Sequence, residues 1–153
     1  MSKLRNRCLL VVDDDADTRL LLAMALESEG AEVLTAASAK EALDLLAWRK
    51  PDALLCDLGL PEVNGCQLLQ AIRTKKARVW QRIPAIAVTA YDSKQVQPEA
   101  LAAGFQLLFT KPIDLDGLTA AIAELTQSKV CDLIHSKAVS ALGTEHSGAV
   151  ENA

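Results

Sequence analysis

Short apolar runs alternate along this chain with stretches whose apolar residues return every three or four positions. Cys8-Leu9-Leu10-Val11-Val12 is continuous and stops abruptly at Asp13-Asp14-Asp15. A run of that length without alternation predicts a strand buried on both faces, the habit of parallel sheets. From Asp17 to Glu29, Leu20, Leu21, Met24 and Ala25 recur at helical spacing, and Gly30 supplies the stop. Ala31 to Ala36 reads as a second strand. Ser38-Ala39-Lys40-Glu41 then fits a capping box, opening a helix that carries Ala42, Leu45 and Leu46 to Trp48 and halts before Pro51.

The unit repeats. Ala53-Leu54-Leu55-Cys56 predicts a strand ending at Asp57, and Leu68, Leu69, Ala71 and Ile72 mark a helix starting near Asn64-Gly65. Ala85 to Val88 predicts a strand ending at Thr89, with Pro84 at its mouth, where a missing N–H is tolerated. Pro98 to Ala103 predicts a short helix closed by Gly104. Leu107 to Thr110 is a fifth strand ending at Lys111-Pro112, and Leu115, Leu118, Ile122 and Leu125 mark a fifth helix. Five such alternations with short connections imply a three-layer α/β fold, a parallel sheet covered by helices on both faces. Strand order is not fixed by this pattern.

After Ser128, Val130, Leu133, Ile134, Ala138, Ala141 and Leu142 keep helical spacing up to Gly143. This is either a sixth amphipathic helix or a frayed tail with chance periodicity. Glu145 to Ala153 has no apolar pattern, and a tail of that composition is expected to be disordered.

Composition narrows the classes. The 153 residues suit one domain with a remainder, and 50% hydrophobic with 24% charged residues argues against wholesale disorder. Only 3% are aromatic, so the core must be aliphatic. Sixteen Lys and Arg against twenty Asp and Glu give a net charge of −4, which provides no footprint for nucleic acid or an anionic membrane. Charges interrupt every candidate membrane span, and the basic start runs into acids too soon for a signal peptide, so a cytoplasmic location is expected. Cys8, Cys56, Cys66 and Cys131 show neither Cys-x-x-Cys nor a His at ligand spacing; they read as small hydrophobes rather than zinc ligands or disulfides.

The polar residues are placed informatively. The first strand ends in Asp13-Asp14, the third in Asp57, the fourth in Thr89 and the fifth in Lys111. In an open α/β sheet the carboxyl ends of the strands form the ligand crevice, so these residues are expected to share one pocket. Clustered carboxylates repel one another unless a cation intervenes, and a hard divalent ion such as Mg²⁺ suits two or three carboxylates and an incoming phosphate. A carboxylate can also serve as a nucleophile and form an acyl phosphate. Asp15 or Asp17 reads as an N-cap.

With these pieces in order, the sequence resembles the receiver domain of two-component response regulators. The matching segments are Leu9 to Asp15, Leu54 to Gly65, Val88-Thr89-Ala90, and Ala103-Gly104 through Thr110-Lys111-Pro112. The resemblance covers residues 7–128, leaves 129–153 as a C-terminal tail, helical at most to about 142, and implies a flavodoxin-like strand order 2-1-3-4-5. It implies that Asp57 accepts a phosphoryl group from a sensor histidine kinase or phosphotransfer protein. Asp14, Asp57 and the Gly59 carbonyl would ligate Mg²⁺, with Asp13 holding the ion through water. Lys111 would contact the phosphoryl oxygens, its peptide to Pro112 would be cis, and Thr89 would turn inward as the switch. Signalling would run through protein–protein contact with a downstream target, without direct binding to nucleic acid or membrane and without enzymatic turnover.

Departures from the family pattern are specific. Leu108 stands where a Tyr or Phe usually couples to the Thr, and Phe109, one step on, points to the opposite face. Asn64 and Leu60 replace a common Asp and Met harmlessly. Rival readings fare worse: an aspartate-nucleophile phosphohydrolase lacks its Asp-x-Asp-x-Thr or Val signature, and an EF-hand from Asp13 fails at Thr18 and Met24. A phosphorylation-independent pseudo-receiver, which usually lacks an acid or the Lys, and a module cut from a hybrid kinase stay open; with no effector domain following, the Met1 start favours a stand-alone receiver over such a module. The oligomeric state also stays open, a phosphorylation-linked dimer included. Arg73, Lys75, Lys76, Arg78 and Arg82, with Trp80 among them, read as a solvated loop or a docking site for an acidic partner.

Overall fold

The computed structural model describes residues 3–90 and 93–127; the expected tail helix lies outside the described residues. The elements are β1 (Cys8–Val12), α1 (Ala16–Glu27), β2 (Glu32–Ala36), α2 (Ala39–Leu46), β3 (Ala53–Cys56), α3 (Gly65–Arg73), α4 (Arg78–Arg82), β4 (Ala85–Thr89), α5 (Ser93–Ala103), β5 (Leu107–Thr110) and α6 (Leu115–Leu125). All four strand pairings are parallel, in the order β2-β1-β3-β4-β5. β1, β3 and β4 are apolar almost throughout because helices cover both faces of the sheet.

Alternation along each strand divides the core in two. Leu10, Val12, Leu54, Cys56, Ala85 and Ala87 pack with α2, α3 and α5 on one side. Leu9, Val11, Leu55, Ile86 and Val88 pack with Leu22 and Leu26 of α1 and Leu118 and Ile122 of α6 on the other. Leu4, ahead of β1, joins the second cluster, and its N–H donates to the Glu29 carbonyl. Each fully buried Leu or Ile contributes roughly 1.5–3 kcal/mol relative to exposure.

Caps set the helix starts. The Asp15 carboxylate caps α1, accepting from the Asp17 N–H, and Asp114 caps α6, accepting from the Gly117 N–H. The Ser38 hydroxyl accepts from the Glu41 N–H, but Glu41 reaches the N–H of Ala37 rather than that of Ser38. Asn64 and Gln67 form the complete reciprocal box at α3.

Three expectations need correction. The buried face of α1 is Leu22 and Leu26, whereas Leu20, Leu21 and Met24 are exposed; with apolar residues on both sides of the helix, spacing alone selects the wrong stripe. The helix expected at Pro98 begins at Ser93 and carries Pro98 inside it, a position where the ring removes one backbone donor but is accommodated. The basic stretch is not a loop throughout: Arg78–Arg82 forms α4, with Trp80 buried.

Candidate phosphoacceptor site

Register brings the acids together. Val12 pairs with Cys56 across β1 and β3, so Asp13 and Asp57 leave the sheet side by side. The ladder runs on past the strands: the Asp13 N–H donates to the Ala36 carbonyl and the Asp57 N–H to that of Val12, at 3.1 and 2.9 Å. Thr89 pairs with Thr110, and the next N–H, that of Lys111, donates to the Thr89 carbonyl at 2.8 Å. Four strand ends thus converge at the point where strand order reverses.

Lys111 binds the carboxylates to one another. Its Nζ lies 2.9 Å from Asp13 Oδ2 and 3.3 Å from Asp57 Oδ2. The second Asp13 oxygen accepts from the Asp15 N–H at 2.8 Å, and the second Asp57 oxygen from the Gly59 N–H at 2.9 Å. Asp14 completes a triad in which Asp13, Asp14 and Asp57 each offer a carboxylate oxygen within 4.8 Å of the others. Asp13 is buried, Asp57 half-buried and Asp14 exposed, so the group opens to solvent on one side.

These surroundings shift protons in defined directions. Burial raises the Asp13 carboxyl, aided by the neighbouring Asp57 charge, and outweighs the opposing hydrogen bonds from Asp15 and Lys111. Burial alone would lower the Lys111 ammonium, but its hydrogen bonds to, and attraction by, Asp13 and Asp57 prevail and raise it. Lys111 therefore stays charged, a fixed cation facing crowded anions. Three oxygen donors of this kind match a hard cation such as Mg²⁺, which prefers carboxylates and retained water to nitrogen or sulfur.

The fold shapes this pocket through backbone contacts that the motif spacing does not show. A Cβ on Gly65 would fall 2.5 Å from the Asp57 carbonyl oxygen and 3.1 Å from Cys56 Sγ. Glycine lets α3 start hard against the loop that carries Asp57. The Arg19 guanidinium donates to the Asp13 carbonyl at 2.7 Å, joining α1 to the end of β1; no motif in the sequence marks it. The Lys111–Pro112 peptide is cis.

The remaining expected residues sit around this centre. Thr89 is fully buried at the end of β4, and Gly59 is exposed in the loop after Asp57. Leu108 is 1% exposed and packs among Ala87, Ala103 and Phe105, whereas Phe109 packs against the α1–α6 side. Leu108 is thus an apolar core residue beneath the pocket.

Comparison with known proteins agrees with this arrangement. A sequence profile of the response regulator receiver domain matches residues 9–123. The chain belongs to the receiver domain family of two-component response regulators. It is 30% identical over 117 residues to sporulation initiation phosphotransferase F of Bacillus subtilis, covering 76% of this chain and 91% of that protein. An uncharacterised 14.6 kDa protein of Leptolyngbya boryana is 44% identical over 114 residues, covering 74% of this chain and 86% of that one. The transcriptional regulatory protein GlrR of Escherichia coli is 41% identical over 117 residues, 74% of this chain, but the chain spans only a quarter of its length.

Solved receiver structures share the fold. The receiver domain of Francisella response regulator 1452 superposes with a TM-score of 0.71 at 30% identity, covering 79% of this chain and 97% of that one. The Vibrio cholerae chemotaxis response regulator CheY4 gives 0.71 at 25% identity, covering 78% and 98%. Among the described residues, no helix of this receiver domain is long and apolar enough to cross a membrane.

Proposed function

We propose that this receiver domain is a working phosphoacceptor in which Asp57 carries the phosphoryl group. The observation that supports this most strongly is the Lys111 ammonium set between the Asp13 and Asp57 carboxylates, with Asp14 beside them. An Asp57 oxygen attacks phosphorus, the P–N bond of a phosphohistidine on a sensor histidine kinase or phosphotransfer protein breaks, and the imidazole nitrogen keeps the electron pair and takes a proton. Asp13, Asp14, Asp57 and the Gly59 carbonyl are the groups that would hold Mg²⁺, which when bound would supply positive charge against the phosphoryl oxygens. Lys111 supplies a second, permanent positive charge and exchanges carboxylate for phosphoryl contacts. The Thr89 hydroxyl, at the adjoining strand end, is the hydrogen-bond donor for the phosphorylated state.

The acyl phosphate acts as a local charge that biases two arrangements of the β4–α5 and β5 surface. Output is contact with another protein rather than turnover. Mg²⁺ dependence, a cytoplasmic setting and a two-component partner belong to the same reading.

Intact-mass measurement after incubation with acetyl phosphate tests it. A single phosphoryl adduct that requires Mg²⁺ and is absent in Asp57→Asn is expected. A folded, Mg²⁺-binding protein that takes no adduct would mark a phosphorylation-independent interaction module instead.

A further inference from the structure

α4 is short, yet it is firmly held. Trp80 is buried, and the Arg73 guanidinium donates to the carbonyls of Trp80 and Ile83 at 3.3 and 2.6 Å. The Gln81 side-chain amide donates to the carbonyls of Lys75 and Lys76 at 3.3 and 3.4 Å, tying the loop before α4 back to the helix. The backbone from Lys75 to Arg82 therefore offers its outward side chains on a fixed frame.

Those side chains are mostly cations. Lys76, Arg78 and Arg82 are exposed and Lys75 is half-buried. Arg78 and Arg82, four residues apart, lie about 6 Å from one another along the face of α4 opposite Trp80. Val79 flanks them and is 42% exposed. No Asp or Glu occurs between Glu62 and Asp92, and among the described residues none of these four cations forms an ion pair. Cations elsewhere in the fold are matched: Lys40 by Asp44, Arg49 by Glu32 and Lys111 by Asp13 and Asp57.

Like charges one helical turn apart repel, so an anion laid across Arg78 and Arg82 relieves a cost that the free surface carries. Two guanidinium forks at that spacing match two carboxylates, and Val79 adds an apolar contact beside them. A nucleic acid fits less well. Trp80, the aromatic of this stretch, is buried and cannot stack on a base, and the chain's net charge of −4 opposes the approach of a polyanion.

We infer that Lys75, Lys76, Arg78, Val79 and Arg82 form a docking surface for an acidic segment of another protein. Carboxylates one helical turn apart on that segment meet Arg78 and Arg82, and an apolar side chain covers Val79. α4 feeds the amino end of β4, whereas Thr89 and the acidic pocket stand at the carboxyl ends of the strands, so a partner held here leaves Asp57 open.

Amide shifts of the isotope-labelled full chain, followed by NMR, test the docking. The probe is a short helical peptide with glutamates at i and i+4 beside a leucine; its glutamine counterpart is the control. Shifts centred on residues 75–82 are expected with the glutamate peptide only, and the affinity should fall as salt rises. Lys76→Gln/Arg78→Gln/Arg82→Gln should weaken binding about tenfold, since each exposed charge contributes modestly. Lys3→Gln/Arg5→Gln, at exposed cations on the α1–α6 side, should leave it unchanged. Adduct formation with acetyl phosphate should be the same in the triple variant, which separates this inference from the phosphoacceptor reading. Absence of binding, shifts centred elsewhere, equal binding of the glutamine peptide, or binding that survives the triple substitution would overturn the inference. Tighter binding of a single-stranded oligonucleotide at the same residues would also overturn it, marking nucleic acid as the occupant.

Discussion

Lys111 Nζ stands 2.9 Å from Asp13 Oδ2, 98 residues earlier in the chain, and this contact ties the last strand of the sheet to the first. The pair nevertheless leaves Asp13 with a raised carboxyl, because burial and the Asp57 charge oppose its ionisation. The folded chain then holds the Asp13 proton more tightly than the unfolded chain does. This contribution favours folding at low pH and is lost as pH rises from the ordinary aspartate value through the raised one. Asp13→Asn should therefore stabilise the chelator-treated protein at neutral pH, with the gain shrinking as pH falls toward the ordinary aspartate range. Urea unfolding of both proteins across pH measures this; a gap independent of pH would contradict it. Added Mg²⁺ should stabilise the wild type more than the variant.

Gly65→Ala should be costly for a residue change of one methyl group. The new Cβ meets the Asp57 carbonyl at 2.5 Å and the Leu58 Cα at 3.0 Å, both backbone atoms. Either α3 or the Asp57 loop must move, and a loss of about 1–3 kcal/mol is expected. The displacement also misplaces Asp57, so adduct formation with acetyl phosphate should slow together with the loss of stability.

Arg73 is a structural cross-link rather than part of a basic docking face. Its guanidinium donates to the carbonyls of Trp80, Ile83 and Gly104 at 3.3, 2.6 and 3.0 Å, and burial lowers its pKa. Arg73→Met should cost about 2 kcal/mol or more by stranding these acceptors. Arg73→Lys should rescue little of it, since one ammonium cannot span the three carbonyls. Arg78→Gln and Arg82→Gln, at exposed positions, should stay within about 0.5 kcal/mol of wild type.

Leu108→Ala should cost about 2–5 kcal/mol, since the side chain is fully buried between β4 and α5 and leaves a cavity. Denaturant unfolding measures the loss. A change near zero would show that this position is not filled as the structure has it.

The strands were legible because continuous apolar runs such as Ala53–Cys56 have few alternatives once polar groups close them at one end. That same punctuation made Asp13, Asp14, Asp57, Thr89 and Lys111 stand out together. Helix faces were less legible: α1 is apolar on two sides, and only packing decides that Leu22 and Leu26 turn inward. Pro98 concealed the first turn of α5, because proline reads locally as a breaker whatever tertiary packing allows. α4 was hidden by its charges, since one buried Trp80 carries too little periodicity to mark five residues. Arg19 and Gly65 act on the pocket through backbone atoms, which no side-chain motif records.

Locating the phosphoryl group tests the assignment of Asp57 as acceptor most directly. Borohydride reduces an aspartyl phosphate to homoserine, so treating the acetyl phosphate product and sequencing its peptides by mass spectrometry reads the acceptor position. Homoserine is expected at position 57 only, formed with Mg²⁺ and absent in Asp57→Asn. Homoserine at position 13 or 14 in the native protein, or none at 57 despite a phosphoryl adduct, would contradict it.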